Sequence, residues 1–377
     1  ISTLSGDFWY NNSMHRKIDR PFLITVIILV VAGFFIFTSA SLGLLARESV
    51  KFSSVAFSQL FFGIFLGGVA LYATSKIKYT FWRKYAFYIF LFSAAVTLLV
   101  FIPSLGLESS GAKRWIDLGI VTFQPAEMLK IGFVIYFAAW LTNVRDKIHT
   151  IGHGIIPFII LLGITGTILL SQPDTGTFIV ILVTGLAMFI AAGARWRDIF
   201  SLGAIAVAGL TLLAYIQPYI KDRIITFINP ASDALGSGWQ IKQSLIAIGS
   251  GEIFGRGFGQ SVQKFQYLPE PIGDSIFAVA AEEFGFIGSV IIITLFLFLA
   301  FRGLKIAGYA PNNFSRLLTV GIVILIVSQS FINIGAMLGV MPLTGLPLLF
   351  ISHGGSALLF ALAEVGIILN ISKFRKI

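Results

Sequence analysis

The sequence predicts an all-α polytopic membrane protein with ten transmembrane helices and a large extracytoplasmic loop between the seventh and eighth. Three observations carry that expectation. The composition lies far outside the soluble range: of 377 residues, 56% are hydrophobic and 12% charged, and the mean hydropathy is +0.91. Apolar runs of about 20 residues, enough to cross roughly 30 Å of hydrocarbon, recur along nearly the whole chain. The basic residues, finally, are distributed unevenly between the connections.

The spans fall at roughly 21–45, 53–74, 82–103, 124–142, 152–171, 174–192, 198–216, 274–301, 315–340 and 346–371. With the N-terminus inside, the cytoplasmic segments hold Arg16, Lys17, Arg20, Lys76, Lys78, Arg83, Lys84, Arg145, Lys147, Arg195, Arg197, Arg302, Lys305, Arg316, Lys373, Arg375 and Lys376. The short outer loops carry only Arg47, Lys51, Lys113 and Arg114. This positive-inside pattern predicts that both termini are cytoplasmic. It also accounts for the net charge of +10 without a nucleic-acid patch. Residues 1–20 read as a cytoplasmic tail and 21–377 as a single ten-helix domain. The first span is too long for a signal-peptide core and is expected to be retained. The absence of cysteine excludes disulfides and thiolate metal sites and leaves the redox compartment open.

Most connections are short, as in a helix bundle, but residues 217–273 interrupt the pattern, and a loop of that length is usually folded or functional. Within it Ile241, Leu245 and Ile248 recur at helical spacing, with Gln240, Gln243 and Ser244 opposite. This predicts a short amphipathic helix at the outer interface, followed by a glycine-shaped turn and a proline-led approach through Pro269 and Pro271 to the eighth span. A second outer loop, GLESSGAKRWIDLGIVTFQPAEMLK, carries Arg114 and Trp115. No internal repeat or matched pair of broken helices is visible.

Ionisable groups inside spans cost about 2.5–3.5 kcal/mol or more at the helix centre, so each should line a cavity or meet a partner. Glu127 and Lys130 in QPAEMLK are three apart and able to pair; they read either as a self-neutralising structural pair or as the wall of a polar cavity. Asp174 in SQPDTGT reads most simply as a helix cap. In ISHGGSALLFALAE, Ser352 and Ser356 are expected on one helical face beside His353, where small-residue packing explains the motif without chemistry, and Glu364 lies two turns deeper. In LPEPIGDSIFAVAAEE, Asp274 and Glu282 share a face about 12 Å apart along the axis, too far to share a proton, with Glu283 pointing elsewhere. Asp274 is either a plain N-cap or a general base at the mouth of a lipid-accessible cavity.

Other chemistry is weakly represented. The glycines of IGSGEIFGRGFGQ fit no nucleotide-binding loop, and His15, His149, His153 and His353 are scattered.

From Asp19 to Lys373 the blocks FTSAS, GAKRWIDLG, QPAEMLK, QPDTGT, NPASDALGSGWQIKQSLIAIGSG, GRGFGQSVQK, YLPEPIGDSIFAVAAEEFGFIG, NIGAMLGVMPLTGLPLLFISHGGSALL and GIILNIS resemble, in the same order, the SEDS family of bacterial cell-wall proteins. GQSVQKFQYLPEP is most similar to the division-type, FtsW, branch. The resemblance implies peptidoglycan glycosyltransferase activity on lipid II in the bacterial cytoplasmic membrane, with the active site on the outer face. It implies Asp274, the aspartate after the LPE motif, as the essential residue. It further places Arg114, Glu127, Lys130, Lys264, Glu270, Ser352, His353 and Ser356 around the substrate cleft. A class B penicillin-binding protein transpeptidase and other division proteins are the implied partners, alongside membrane lipids and no nucleic acid. A divalent cation, Mg or Mn, is the implied cofactor, with its ligands unassigned and no organic cofactor. The chain departs from the family pattern at Glu252, at His353, and at Ile272 and Gly273, where the family's HTDF stands as IGDS.

The implied mechanism is an inverting single displacement in which Asp274 deprotonates the acceptor hydroxyl while Arg114, Lys264 or Lys130 stabilises the leaving pyrophosphate. The alternatives are a lipid II flippase, with Glu364 and Glu282 as candidate midplane charges, or a non-catalytic scaffold for a transpeptidase.

Overall fold

The computed structural model describes residues 17–47, 53, 55–109, 112–117, 119, 122–233 and 236–374. The predicted tail up to Arg16, and the topological markers Lys51, Arg375 and Lys376, lie outside the described residues. Helix occupies the core of all ten predicted intervals: α1 (Arg20–Arg47), α2 (Val55–Lys76), α3 (Tyr79–Lys84) with α4 (Ala86–Leu98), α5 (Pro125–Asn143), α6 (Ile151–Leu170), α7 (Thr175–Ala191), α8 (Trp196–Ile216), α9 (Pro218–Ile228), α10 (Ser237–Ser250), α11 (Gln263–Gln266), α12 (Ile276–Gly308), α13 (Asn313–Met337) and α14 (Gly355–Ser372). Of these, seven are long and apolar enough to cross a membrane. The protein is a multi-pass membrane protein with a helical fold.

The core is built around α13 and α14, whose most apolar windows are 72% and 89% buried, against 6% for α8. Such enclosure follows from sequence. Both helices are apolar on all sides and carry Gly321, Gly335 and Gly366, which let neighbours approach closely. α8 is equally apolar but faces outward, so its Ile205, Val207 and Leu212 present their side chains to the surroundings.

Three features were not legible in the hydropathy pattern. The outer loop after α4 forms a three-stranded antiparallel sheet, β1 (Gly106–Ser109), β2 (Ala112–Asp117) and β3 (Thr122–Phe123), in the order β1-β2-β3. Leu107 pairs with Trp115, and Ile116 with both Gly106 and Phe123. α9 forms where no helix was expected, starting at Pro218, whose fixed φ suits the first helical turn.

The third is a break in α12. Gly285 has φ 66° and ψ −162°, which only glycine adopts readily. The backbone groups released by the break are taken up by the loop that follows α10. Arg256 N donates to Glu282 O (3.0 Å), Gly257 N to Glu283 O (3.0 Å), Phe286 N to Glu252 O (2.9 Å) and Ile287 N to Ile253 O (3.1 Å). A non-helical backbone is tolerated beside a spanning helix because protein, not lipid, satisfies it. The predicted glycine-shaped turn is present, with positive φ at Gly255, Gly257 and Gly259.

Two predictions are corrected. The amphipathic helix exists, but its inward face is not Ile241, Leu245 and Ile248. Gln243, Ser244 and Ala247 are buried with Ile241, while Leu245 is exposed. The helix packs on α12 and α13 rather than resting on an interface, so polar side chains turn inward to meet protein groups. The tenth interval does not begin as helix at 346. Residues 343–354 are non-helical but largely buried, and α14 starts at Gly355. Pro342 and Pro347, with positive φ at Gly345 and Phe350, break the helix while the leucines still bury their side chains. Apolarity alone cannot separate a spanning helix from an enclosed irregular segment.

Candidate active site

Asp274 sits one residue before Ser275, the N-cap of α12, in the link from α11. It does not cap the helix. No side chain caps α12 at all, and the Asp274 carboxylate instead accepts from Gln240 Nε2 at 3.1 Å, with the Ser275 hydroxyl at 3.5 Å. Its backbone is held from three directions. Asn333 Nδ2, on α13, donates to Asp274 O at 2.7 Å and to Leu346 O at 2.7 Å. Ser352 Oγ donates to Gly273 O at 2.7 Å and accepts from Leu348 N at 2.8 Å. His353 N donates to Ile272 O at 2.7 Å. The residue is thus gripped by its main chain and is half-buried as a whole.

Burial pushes the Asp274 carboxyl up from 3.8 to about 6, reinforced by Glu270 and opposed by the Gln240 hydrogen bond and by Arg223. A carboxylate poised there is ionised at neutral pH yet basic enough to receive a proton, which is what a general base requires. Glu270, in the LPE motif, is exposed beside it and has φ 45°.

The other predicted site residues divide into two groups. Ser352 and His353 join Asp274 through the contacts above. They lie in the irregular segment, however, so Ser352 and Ser356 do not share a helical face. Ser356 instead accepts from Gln124 N at 3.4 Å in the first turn of α14. Glu127 and Lys130 form the expected pair, 2.8 Å apart and both buried, and Lys130 Nζ also donates to Gln329 Oε1. Gln329 Nε2 in turn donates to Pro347 O at 3.2 Å. The pair therefore reaches the irregular segment through Gln329, and Glu364 interacts with both charges.

Lys264 is placed elsewhere. Its ammonium meets Glu283 Oε1 (2.7 Å), Ser39 Oγ (2.9 Å) and Gly259 O (2.9 Å), filling its three donor positions in a fully buried site at the break in α12. Glu282 closes the same cluster, accepting from Ser261 Oγ, Val262 N and Gln263 N, with Arg256 at 3.7 Å. Neither Lys264 nor Glu282 faces Asp274's surroundings. Asp174 is the N-cap of α7, accepting from Thr177 N and Thr177 Oγ1. Arg114, on β2, donates to Gln172 O at 3.1 Å, to Pro173 O, and to Tyr219 Oη at 3.3 Å.

Three residues around the site are not singled out by the sequence, Asn333, Gln59 and Arg223, and a fourth, Gln240, is marked there only as the polar face of the amphipathic helix. Asn333 and Gln59 had a signal, since uncharged amides buried in apolar spans also need partners. Gln59 holds Gly354 N at 3.1 Å. Among the described residues no group of three His, Cys, Asp or Glu side chains could hold a metal ion.

The comparisons accord with this architecture. The sequence profile of the FtsW, RodA and SpoVE family, described as cell cycle proteins, matches residues 19–377. The chain is similar to Stage V sporulation protein E of Bacillus subtilis strain 168, 36% identical over 94% of this chain and 96% of that one. It is also similar to a probable peptidoglycan glycosyltransferase FtsW of Geobacter sulfurreducens, 40% identical over 81% and 82%. A solved structure described as "Structural coordination of polymerization and crosslinking by a peptidoglycan synthase complex" superposes with TM-score 0.77 at 26% identity, covering 95% of this chain and 98% of that one. The rod shape determining protein RodA of Thermus thermophilus gives 0.68 at 25% identity, over 95% and 97%. The chain belongs to the FtsW, RodA and SpoVE family.

Proposed function

We propose that this protein is a peptidoglycan glycosyltransferase that polymerises lipid II into β-1,4 glycan strands, with Asp274 as general base. Relatives that align over most of their length are named as glycosyltransferases, and the observation that carries the assignment of the base is the Asp274 carboxylate itself. It is anchored by its backbone, left uncommitted to its own helix, and shifted to about 6.

The donor sugar is linked through an α-pyrophosphate and the product is β-linked, so each transfer inverts the anomeric carbon in one displacement. The acceptor 4-hydroxyl oxygen forms a bond to that carbon as the bond to pyrophosphate breaks. The leaving pyrophosphate keeps the electron pair, and the hydroxyl proton passes to Asp274. Gln240 keeps the carboxylate aimed and favours its ionised form; Asn333 and Ser352 hold the chain beneath it. The ten helices cross the bacterial cytoplasmic membrane with both termini inside, which puts Asp274 at the outer boundary. A class B penicillin-binding protein crosslinks the product, and the resemblance to the division-type branch assigns the pair to septal synthesis.

Purified protein, alone and with its transpeptidase partner, incubated with labelled lipid II is expected to form glycan chains, and Asp274→Asn to form none while still binding lipid II. An active Asp274→Asn protein would remove the base. A flippase or a scaffold would make no glycan in either mixture.

A further inference from the structure

The displacement needs positive charge on the leaving pyrophosphate, and two of the three cations named from sequence are otherwise engaged. Lys264 is saturated at the break in α12, and Lys130 is buried between Glu127 and Gln329. A different cation meets the requirement. Arg223, on α9, lays its guanidinium over the Tyr219 ring, 4.3 Å from the centroid, and its Nη1 is buried with no hydrogen-bond partner among the described residues. Its Nη2 lies 3.9 Å from where a Cβ on Gly345 would stand, next to the Leu346 carbonyl that shares Asn333 with Asp274. Asp174 and Asp274 attract the guanidinium, while Arg114, which donates to the Tyr219 hydroxyl, repels it.

A guanidinium with a buried, unmet N–H is costly to maintain unless an acceptor comes to it. Asp174 is not that acceptor: it caps its own helix through Thr177 and makes no hydrogen bond to Arg223 Nη1, which has no partner among the described residues. Asp274 is held by Gln240. Two arginines that share one tyrosine, Arg223 over its ring and Arg114 on its hydroxyl, call for an anion large enough to face both, and the planar guanidinium fork matches phosphate oxygens.

We infer that Arg223 is the residue that binds the pyrophosphate of the donor, with Arg114 behind it, so that the negative charge developing on the leaving oxygen is met across the cleft from Asp274, opposite the base, as inversion requires. This rests on the glycosyltransferase reading. Bond making and breaking are those given above; Arg223 donates hydrogen bonds to the departing pyrophosphate and takes no proton.

The test uses the full-length protein with its transpeptidase partner and three variants: Arg223→Gln, Arg223→Lys and Asp274→Asn. Two readouts are taken, polymerisation of labelled lipid II and displacement of bound lipid II by farnesyl pyrophosphate, with farnesol as the uncharged control. Arg223→Gln is expected to lower kcat by about 10²–10³-fold, the loss typical of removing one preorganised donor from a developing charge. Farnesyl pyrophosphate is expected to displace lipid II from it at least about tenfold more weakly, a 1.4 kcal/mol effect. Arg223→Lys, which keeps the charge but not the fork, should fall between the two. Asp274→Asn should lose polymerisation and keep wild-type displacement by farnesyl pyrophosphate. Wild-type displacement by farnesyl pyrophosphate in Arg223→Gln would overturn the inference and leave the base assignment standing. Should Arg223→Gln not fold, wild-type behaviour of Arg223→Lys in both readouts overturns it equally. Polymerisation by Asp274→Asn would instead overturn the assignment on which the inference rests.

Discussion

Asp274 and Glu283 are close in sequence and opposite in physical character. Glu283 is buried, and it meets Lys264, Ser39 and the Ser261 amide; its neighbour Glu282 is met by a hydroxyl, two amides and Arg256. Asp274 is partly exposed, has one close side-chain donor, and faces an arginine whose buried N–H is unmet. In the first region every charged side chain has a charged partner within the chain, with Glu283 Oε2 the one carboxylate oxygen left without a hydrogen bond, which is what holding a loop inside a broken helix demands. In the second, charge is held in place but left unanswered, and that is the arrangement that can accept a substrate. Counting acids in the sequence cannot separate the two; counting their partners can.

The largest test of this contrast is chemical. Asp274→Asn should cut glycan synthesis by about 10²–10⁴-fold, the usual contribution of a general base, with the melting temperature at neutral pH undiminished. The same contrast predicts the reverse for the closed cluster. Lys264→Met leaves Glu283 buried and uncompensated and should cost about 3–5 kcal/mol of stability, measured as detergent-solubilised thermal unfolding. Loss of polymerisation by Lys264→Met at unchanged stability would move Lys264 back to the substrate side.

A smaller effect is expected at the break itself. A Cβ on Gly285 would stand 2.3 Å from Gly255 N, and its φ is 66°, so Gly285→Ala should lower stability by about 1–3 kcal/mol. Unaltered unfolding would mean that the loop insertion is dispensable.

The pH dependence sharpens the comparison at the open site. With Asp274 at about 6, polymerisation should rise with pH through an acid limb near 6 and level off above it. The linked effect on stability has the opposite sign. The folded chain holds a proton on Asp274 between 3.8 and about 6 that the unfolded chain has released, so folding weakens as pH rises through that window. Asp274→Asn should accordingly be more stable than the parent above pH 6, with the difference closing near pH 4. Equal stabilities across that range would place the carboxylate in water. The smallest shift is expected for Gln240→Ala. Removing a donor that favours the ionised form should move the acid limb upward by a few tenths of a pH unit.

Much of the architecture was readable because lipid imposes a simple rule: a long apolar run must satisfy its own backbone, so it becomes helix. The ten intervals, the glycine turn and the capping role of Asp174 all follow from local chemistry of that kind. The rule failed where protein replaced lipid as the surroundings. Residues 346–354 are as apolar as a span, yet they are irregular because protein groups satisfy their backbone: Asn333 and Gln329 of α13 donate to Leu346 O and Pro347 O, and His353 N donates to Ile272 O in the link before α12. α10 turns Gln243 and Ser244 inward for the same reason.

At the site, the sequence alone determined that Asp274 stands at the threshold of an apolar helix and that Glu127 pairs with Lys130, because both follow from spacing along one helix. Which acids are satisfied and which are left open was decided only in three dimensions. The partners that settle it, Lys264 for Glu283, Asn333 and Gln240 for Asp274, and Arg223 across the cleft, come from separate segments of the chain. Hydrogen-bond satisfaction is a property of what folding brings together, and no local pattern of residues encodes it.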